Sequence, residues 1–190
     1  MGKILFVDAC VRENSRTRAL AEHLLVQLGG AYERFAAEDR ALPPLDAQRL
    51  AMRDDCCRRG DFSDAYFAPA RQFAAADEIV IAAPFWDNSF PAALKKYIES
   101  VCVTGLTFRY GENGVPQGLC RARRLYYVTT AGGPVFSDVY GYGYIKSLAE
   151  TMFGIGETVQ FKAEGLDIFG ADEASIMAEA MRAVEAYFAR

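Results

Sequence analysis

The chain has 190 residues, 52% of them apolar and 24% charged, with a net charge of −4. That suits one soluble globular domain, residues 1–190, with a substantial core. It excludes a general affinity for nucleic acid, and no apolar run approaches the ~20 residues of a membrane span.

Lys3 to Val7 (KILFV) is an apolar, β-branched run. It predicts a strand buried on both faces of a parallel sheet. Asp8 to Ser15 has no helical period. From Arg16 to Leu28, apolar residues recur three and four apart, which predicts an amphipathic helix capped by Ser15. Arg12, Arg16 and Arg18 crowd its start, against Glu13 alone. Cations oppose the positive end of a helix dipole unless an anion intervenes. A phosphate held by backbone N–H groups, Ser15, Thr17 and a guanidinium would satisfy the pattern. Arginines pointing into water would also account for it.

Gly29-Gly30 signals the helix end, and Ala31 to Ala36 predicts a more polar strand at the sheet edge. Leu42-Pro43-Pro44 is a break. Asp46 to Arg58 and Ser63 to Ala75 predict helices with solvated faces and no chemistry. Glu78 to Ala83 (EIVIAA) is the clearest buried strand. It runs into Pro84-Phe85-Trp86-Asp87-Asn88-Ser89-Phe90-Pro91, and a helix follows with Pro91 in its first turn. Gly105 to Leu119 carries alternation and then Asn113-Gly114, which suggests a hairpin-like excursion. Arg124 to Thr130 is another buried strand, ending at Ala131-Gly132-Gly133-Pro134. A tyrosine-rich loop, Tyr140 to Tyr144, leads into a helix to about Phe153. Glu157 to Ala163 is the last strand. Asp172 to Ala189 is the closing helix, with Arg190 at its end.

Five cysteines make an odd count without repeated spacing, and the N-terminus enters a strand directly. A reduced cytoplasmic protein is the simplest expectation. The single histidine, His23, leaves zinc sites and histidine-based triads little to work with.

Strands alternating with helices imply right-handed βαβ units and one doubly wound parallel sheet, helices on both faces, in the order 2-1-3-4-5. Ligands then bind beyond the carboxyl ends of the strands. Three irregular loops meet there: Ala9–Thr17, Pro84–Pro91 and Ala131–Tyr142. The first suits a terminal phosphate. The second offers Phe85 and Trp86 as walls for a flat ring. The third offers Gly132-Gly133, where backbone comes close to a ligand edge. Together these are the requirements of flavin mononucleotide (FMN). Each also has a plain structural alternative, Trp86 as core and Gly132-Gly133 as a turn.

PFWDNSFPAALKKYIESV, GLTFRYGENGVPQGL and VTTAGG resemble the motifs of the flavodoxin-like FMN-dependent NAD(P)H oxidoreductases, the azoreductase and quinone-reductase group. The likeness extends over nearly the whole chain. It implies a homodimer with one FMN per subunit, reduced by NAD(P)H and reoxidised by a small aromatic acceptor such as a quinone or azo compound. It places Arg12, Ser15 and Thr17 at the phosphate loop. It places Pro84, Phe85, Trp86 and Asp87 at the ring, and Thr130, Ala131, Gly132 and Gly133 at the pyrimidine end. Hydride transfer at the flavin needs no dedicated catalytic residue. Tyr140, Tyr142 and Tyr144 are candidates for a mobile lid or for dimer packing. Phe108 and Tyr110 would contribute to the partner subunit's pocket. Asp87 and Asn88 stand where the family has Asn and Phe, and Ala9-Cys10 replaces Ser-Pro or Ser-Ser. Asp87 would either lower the flavin potential as an anion or be protonated by burial. Cys10 reads as a small buried residue or as a thiol beside the phosphate loop. The alternatives to an enzyme are a flavodoxin-type electron carrier serving protein partners and a flavin-free regulatory protein with the same fold.

Overall fold

A computed structural model describes residues 2–37 and 42–189. Arg190 lies outside the described residues. The chain forms β1 (Ile4–Asp8), α1 (Arg16–Leu28), β2 (Tyr32–Ala36), α2 (Ala47–Arg59), α3 (Ala68–Ala75), β3 (Glu78–Ala82), α4 (Ala92–Val101), β4 (Phe108–Tyr110), β5 (Pro116–Gly118), β6 (Arg124–Thr130), α5 (Tyr142–Leu148), β7 (Glu157–Ala163) and α6 (Glu173–Phe188).

The main sheet has the order β2-β1-β3-β6-β7, every pair parallel. Counting its strands along the chain, this is the expected 2-1-3-4-5, with the more polar β2 at an edge. Alternation along each strand divides the core in two. Leu5, Val7, Ile79, Ile81, Leu125 and Tyr127 face α3, α4 and α5, meeting Phe73, Tyr97 and Ile145. Ile4, Phe6, Val80, Ala82, Tyr126 and Val128 face α1 and α6, meeting Leu20, Leu24 and Val184. The two layers hold the sheet between them, with the loops beyond the strand ends set on its carboxyl edge.

Local chemistry sets the element ends. Ser15 caps α1 by accepting from the Arg18 N–H at 3.2 Å. Gly29 takes the left-handed conformation at the other end (φ 68°), where its N–H reaches the Leu25 and Val26 carbonyls. The helix expected over Ser63–Ala75 splits. A 3-10 turn over Ala65–Phe67, capped by Asp64, precedes α3. Pro69 lacks an N–H and its ring obstructs the residue four earlier, so it fits only a first helical turn. Pro91 sits one residue earlier than expected, in the N-cap position of α4.

The excursion between α4 and β6 is the expected hairpin, with Tyr110 opposite Pro116 and a turn around Asn113-Gly114. The tyrosine loop is shorter than expected. Tyr142 and Tyr144 already belong to α5, which passes into one π-helical turn, Ala149–Phe153.

Candidate active site

The loop after β1 is built on a buried carboxylate. Asp8 is 1% exposed at the carboxyl end of the strand. It accepts from Arg18 Nε (2.7 Å), Arg34 Nη2 (2.6 Å), Arg34 Nε (3.1 Å) and the Cys10 N–H (2.9 Å). Burial alone raises this carboxyl, but the Arg18 guanidinium, the Cys10 N–H and Arg34 outweigh it and hold it below its ordinary value. Cys10 is itself buried beside that carboxylate, and burial pushes its thiol up to about 12. It is the small packed residue of the two readings, not a reactive thiol.

The three arginines at the start of α1 divide. Arg16 pairs with both Asp167 oxygens, at 2.8 and 3.2 Å, and with Glu173 at 3.2 Å. Arg18 pairs with Asp8. Protein carboxylates therefore neutralise two of the three cations that crowd the helix start. Arg12 is exposed at the loop and, among the described residues, has no ion-pair partner.

Beyond β3, Trp86 and Ser89 exchange both backbone hydrogen bonds, at 3.1 and 2.8 Å. Asp87 and Asn88 between them both have positive φ, 51° and 61°. This is a two-residue turn of the I′ kind, which favours Asp and Asn at its centre. The turn lifts the Trp86 ring out of the core, and Trp86 is 37% exposed. Asp87 is exposed at the tip of the turn.

Beyond β6, Thr130 is buried and its hydroxyl meets that of Thr17 at 2.6 Å, tying α1 to the third loop. The Ala131 N–H bonds to Ala163 and its carbonyl accepts from Leu166. Its backbone is used up in the sheet. The Gly132 and Gly133 carbonyls accept from Asp167 and Gly165, while their N–H groups have no acceptor among the described residues. A Cβ at Gly132 would overlap the Asp167 carboxylate, so the Arg16–Asp167 pair can lie across this position only above a glycine.

One cleft joins these loops. It is lined by Arg12, Ser15, Thr17, Pro84, Phe85, Trp86, Thr130 and Gly132 from the expected set. Val11, Asn14, Arg16 and Asp167 line it as well, though the sequence did not mark them as site residues. Asp167 lies past the end of β7, and the rule that ligands bind beyond strand carboxyl ends, applied to the last strand too, would have found it. Asp87, Ala131 and Gly133 do not line the cleft.

Neither Phe108 nor Tyr110 lines the cleft. Phe108 is buried in the hairpin, with Tyr110 edge-on against it at 5.4 Å. Tyr142 is half-buried. Its hydroxyl donates to the Thr158 carbonyl at 3.0 Å and its ring packs on Tyr127. Tyr144 packs against Phe90. Tyr140 alone of the three stands clear, 66% exposed, its carbonyl accepting from Ser89 Oγ at 2.7 Å.

The family model for the flavodoxin-like fold matches residues 2–188. A Clostridium acetobutylicum protein named FMN-dependent NADH:quinone oxidoreductase 2 is 42% identical over 113 residues, 57% of this chain and 56% of its own. The chain thus spans about half the length of that relative. A Clostridium perfringens protein named FMN-dependent NADH:quinone oxidoreductase is 38% identical over 189 residues, 90% of each chain. The solved FMN-dependent NADH-azoreductase of Bacillus anthracis, in complex with FMN, superposes with a TM-score of 0.82 over 100% of this chain and 99% of that one, at 22% identity. With its sheet order, its strand-end cleft and this match over nearly its full length, the chain belongs to the flavodoxin-like fold family.

Proposed function

We propose that the chain is an FMN-dependent NAD(P)H oxidoreductase acting on quinone, azo or similar aromatic acceptors. The observation that carries the reading is the cleft at the strand ends, lined by Phe85 and Trp86, by Arg12, which has no ion-pair partner among the described residues, and by Gly132, whose N–H has no acceptor among them. That donor set fits FMN. Arg12, Ser15 and Thr17 would hold the phosphate, and Pro84, Phe85 and Trp86 would flank the ring. Gly132 and Gly133 would offer N–H groups to the pyrimidine edge, with Thr130 packed beneath. Ala131 would support that loop through the sheet, and Asp87 would shape the Trp86 turn. Bound there, FMN supplies the exchange of a hydride between NAD(P)H and the acceptor. The chain's own residues bind, orient and shield it.

The names of the relatives support the enzyme over an electron carrier, and NADH is the reductant those names carry. We further propose a homodimer. Phe136 and Phe169 are 91% and 104% exposed on the two loops that border the cleft, with Val139, Tyr140 and Ile168 also exposed. Exposed apolar area of this kind favours a partner surface. Tyr110 would then serve the partner's cleft, with Phe108 packed behind it, and Tyr140 would act as a rim residue. Five free cysteines are consistent with a reduced, cytoplasmic setting.

The visible absorption spectrum of the purified chain, followed by NADH oxidation with and without added quinone, tests the reading. A flavin spectrum and quinone-dependent turnover are expected. A colourless protein that takes up no added FMN would refute it.

A further inference from the structure

One guanidinium organises the turn that follows β1. Arg18 lies on α1, within its first turn. Its Nη1 donates to the carbonyls of Arg12 (3.0 Å) and Glu13 (2.9 Å), and its Nη2 to the carbonyl of Cys10 (2.5 Å). Its Nε is anchored by Asp8 at 2.7 Å. Asp8 is anchored in turn by Arg34 and by the Cys10 N–H.

The carbonyl pattern fixes the opposite pattern of donors. Three carbonyls of this short loop converge on one cation. Among the described residues, the N–H groups of Val11, Glu13 and Asn14 meet no protein acceptor. Val11, Arg12, Asn14 and Ser15 line the cleft. Such a loop presents its donors and positive potential to whatever occupies it.

We infer that Arg18 is a positioning residue for the phosphate end of the flavin: it draws the carbonyls of Cys10, Arg12 and Glu13 inward, and so orders the N–H groups and the Arg12 side chain that face the cleft. The inference rests on the FMN reading above. Arginine suits the task because its planar fork reaches several acceptors in different directions at once. Lysine keeps the charge but carries its donors on one atom, so it would hold at most part of the loop.

Flavin titrations of the full chain, with FMN and with riboflavin, which lacks the phosphate, test this. Arg18→Gln should weaken FMN at least about tenfold, the loss expected when charge-assisted contacts become disordered, and leave riboflavin within about twofold. Arg18→Lys should also lose FMN selectively, and it carries the test if the glutamine variant does not fold. Arg34→Gln removes a positive charge from the same carboxylate but touches no loop carbonyl, so FMN should weaken by less than about threefold.

Three outcomes overturn the assignment: equal loss of FMN and riboflavin in the Arg18 variants, wild-type FMN affinity in Arg18→Lys, or an Arg34→Gln loss matching that of Arg18→Gln. A wild-type chain that binds riboflavin and FMN equally would instead overturn the phosphate site itself, before any variant is measured.

Discussion

Replacing Gly132 by alanine should break the contact that closes the cleft on the β7 side. A methyl there overlaps the Asp167 carboxylate oxygen and stands 3.0 Å from its Cγ and 3.2 Å from its Cβ. The carboxylate must swing away, giving up its two bonds to Arg16. Asp167 is 63% exposed, so the lost pair is worth at most about 1 kcal/mol. Forcing the side chain off its rotamer adds about 0.5–1.5 kcal/mol. Alanine also stiffens the unfolded chain, which offsets about 0.4–1 kcal/mol.

Gly133→Ala is the control, because a Cβ at 133 meets nothing within 4 Å and the unfolded-state effect is shared. Gly133→Ala should be neutral or slightly stabilising, and Gly132→Ala should lie about 0.5–2.5 kcal/mol below it. For a chain of this size that is a separation of about 1–10 °C in Tm, measurable by circular dichroism or calorimetry at pH 7. In an Asp167→Ala background, Gly132→Ala and Gly133→Ala should melt together. Equal melting temperatures for the two single variants would refute the account of why glycine occupies position 132.

Arg12→Gln should weaken FMN about 10–100-fold with little effect on riboflavin, read by fluorescence titration. Asp8 ionises at lower pH in the fold than in the unfolded chain. Its contribution is therefore complete above the ordinary carboxylate range and is lost as pH falls through its folded pKa. Asp8→Asn should cost about 2–3 kcal/mol at pH 7, less than a fully buried pair because Arg34 is 45% exposed, and it should flatten the loss of stability below about pH 4. Cys10 should resist alkylation at pH 8 in the native chain and react only on unfolding, as mass spectrometry of labelled peptides would show; fast native labelling would contradict its burial. Tyr142→Phe should cost about 1 kcal/mol of stability through its bond to Thr158 and leave turnover unchanged. Tyr140→Ala should do the reverse, changing KM for the acceptor but not Tm.

The sheet was legible because its signals are local. Strands β1, β3 and β6 show as apolar runs, and Ser15 and Gly29 mark the ends of α1 by local chemistry alone. The boundaries that moved did so for reasons just as local. Pro69 delays α3, and the tyrosines after Gly141 have helical neighbours to pack on rather than a loop to occupy. The Asp87-Asn88 pair looked like an electrostatic departure at the flavin. Its backbone shows a conformational one, since both residues hold the positive φ of a tight turn. Sequence pattern shows which residue types are present at such a place, while the dihedral angles show why those types are tolerated.

The arginines around α1 show where sequence reading reached its limit. An excess of positive charge at a helix N-terminus is visible in the residue order, and the demand for an anion follows from the dipole. The order does not say which anion answers it. Asp167 and Glu173 lie about 150 residues from Arg16, and only the fold brings them to it. Asp8 stands ten residues from Arg18 and, at the end of a strand, looked like the start of a loop rather than its anchor. The inference from charge to ligand thus narrows from three guanidiniums to Arg12. It gains support from the loop N–H groups, whose orientation Arg18 secures from behind. An anion held chiefly by backbone donors is sensitive to loop order more than to net charge. FMN affinity should therefore fall steeply when Arg18 releases the loop and only modestly with rising salt, whereas a site made of three exposed arginines would lose its ligand to salt first.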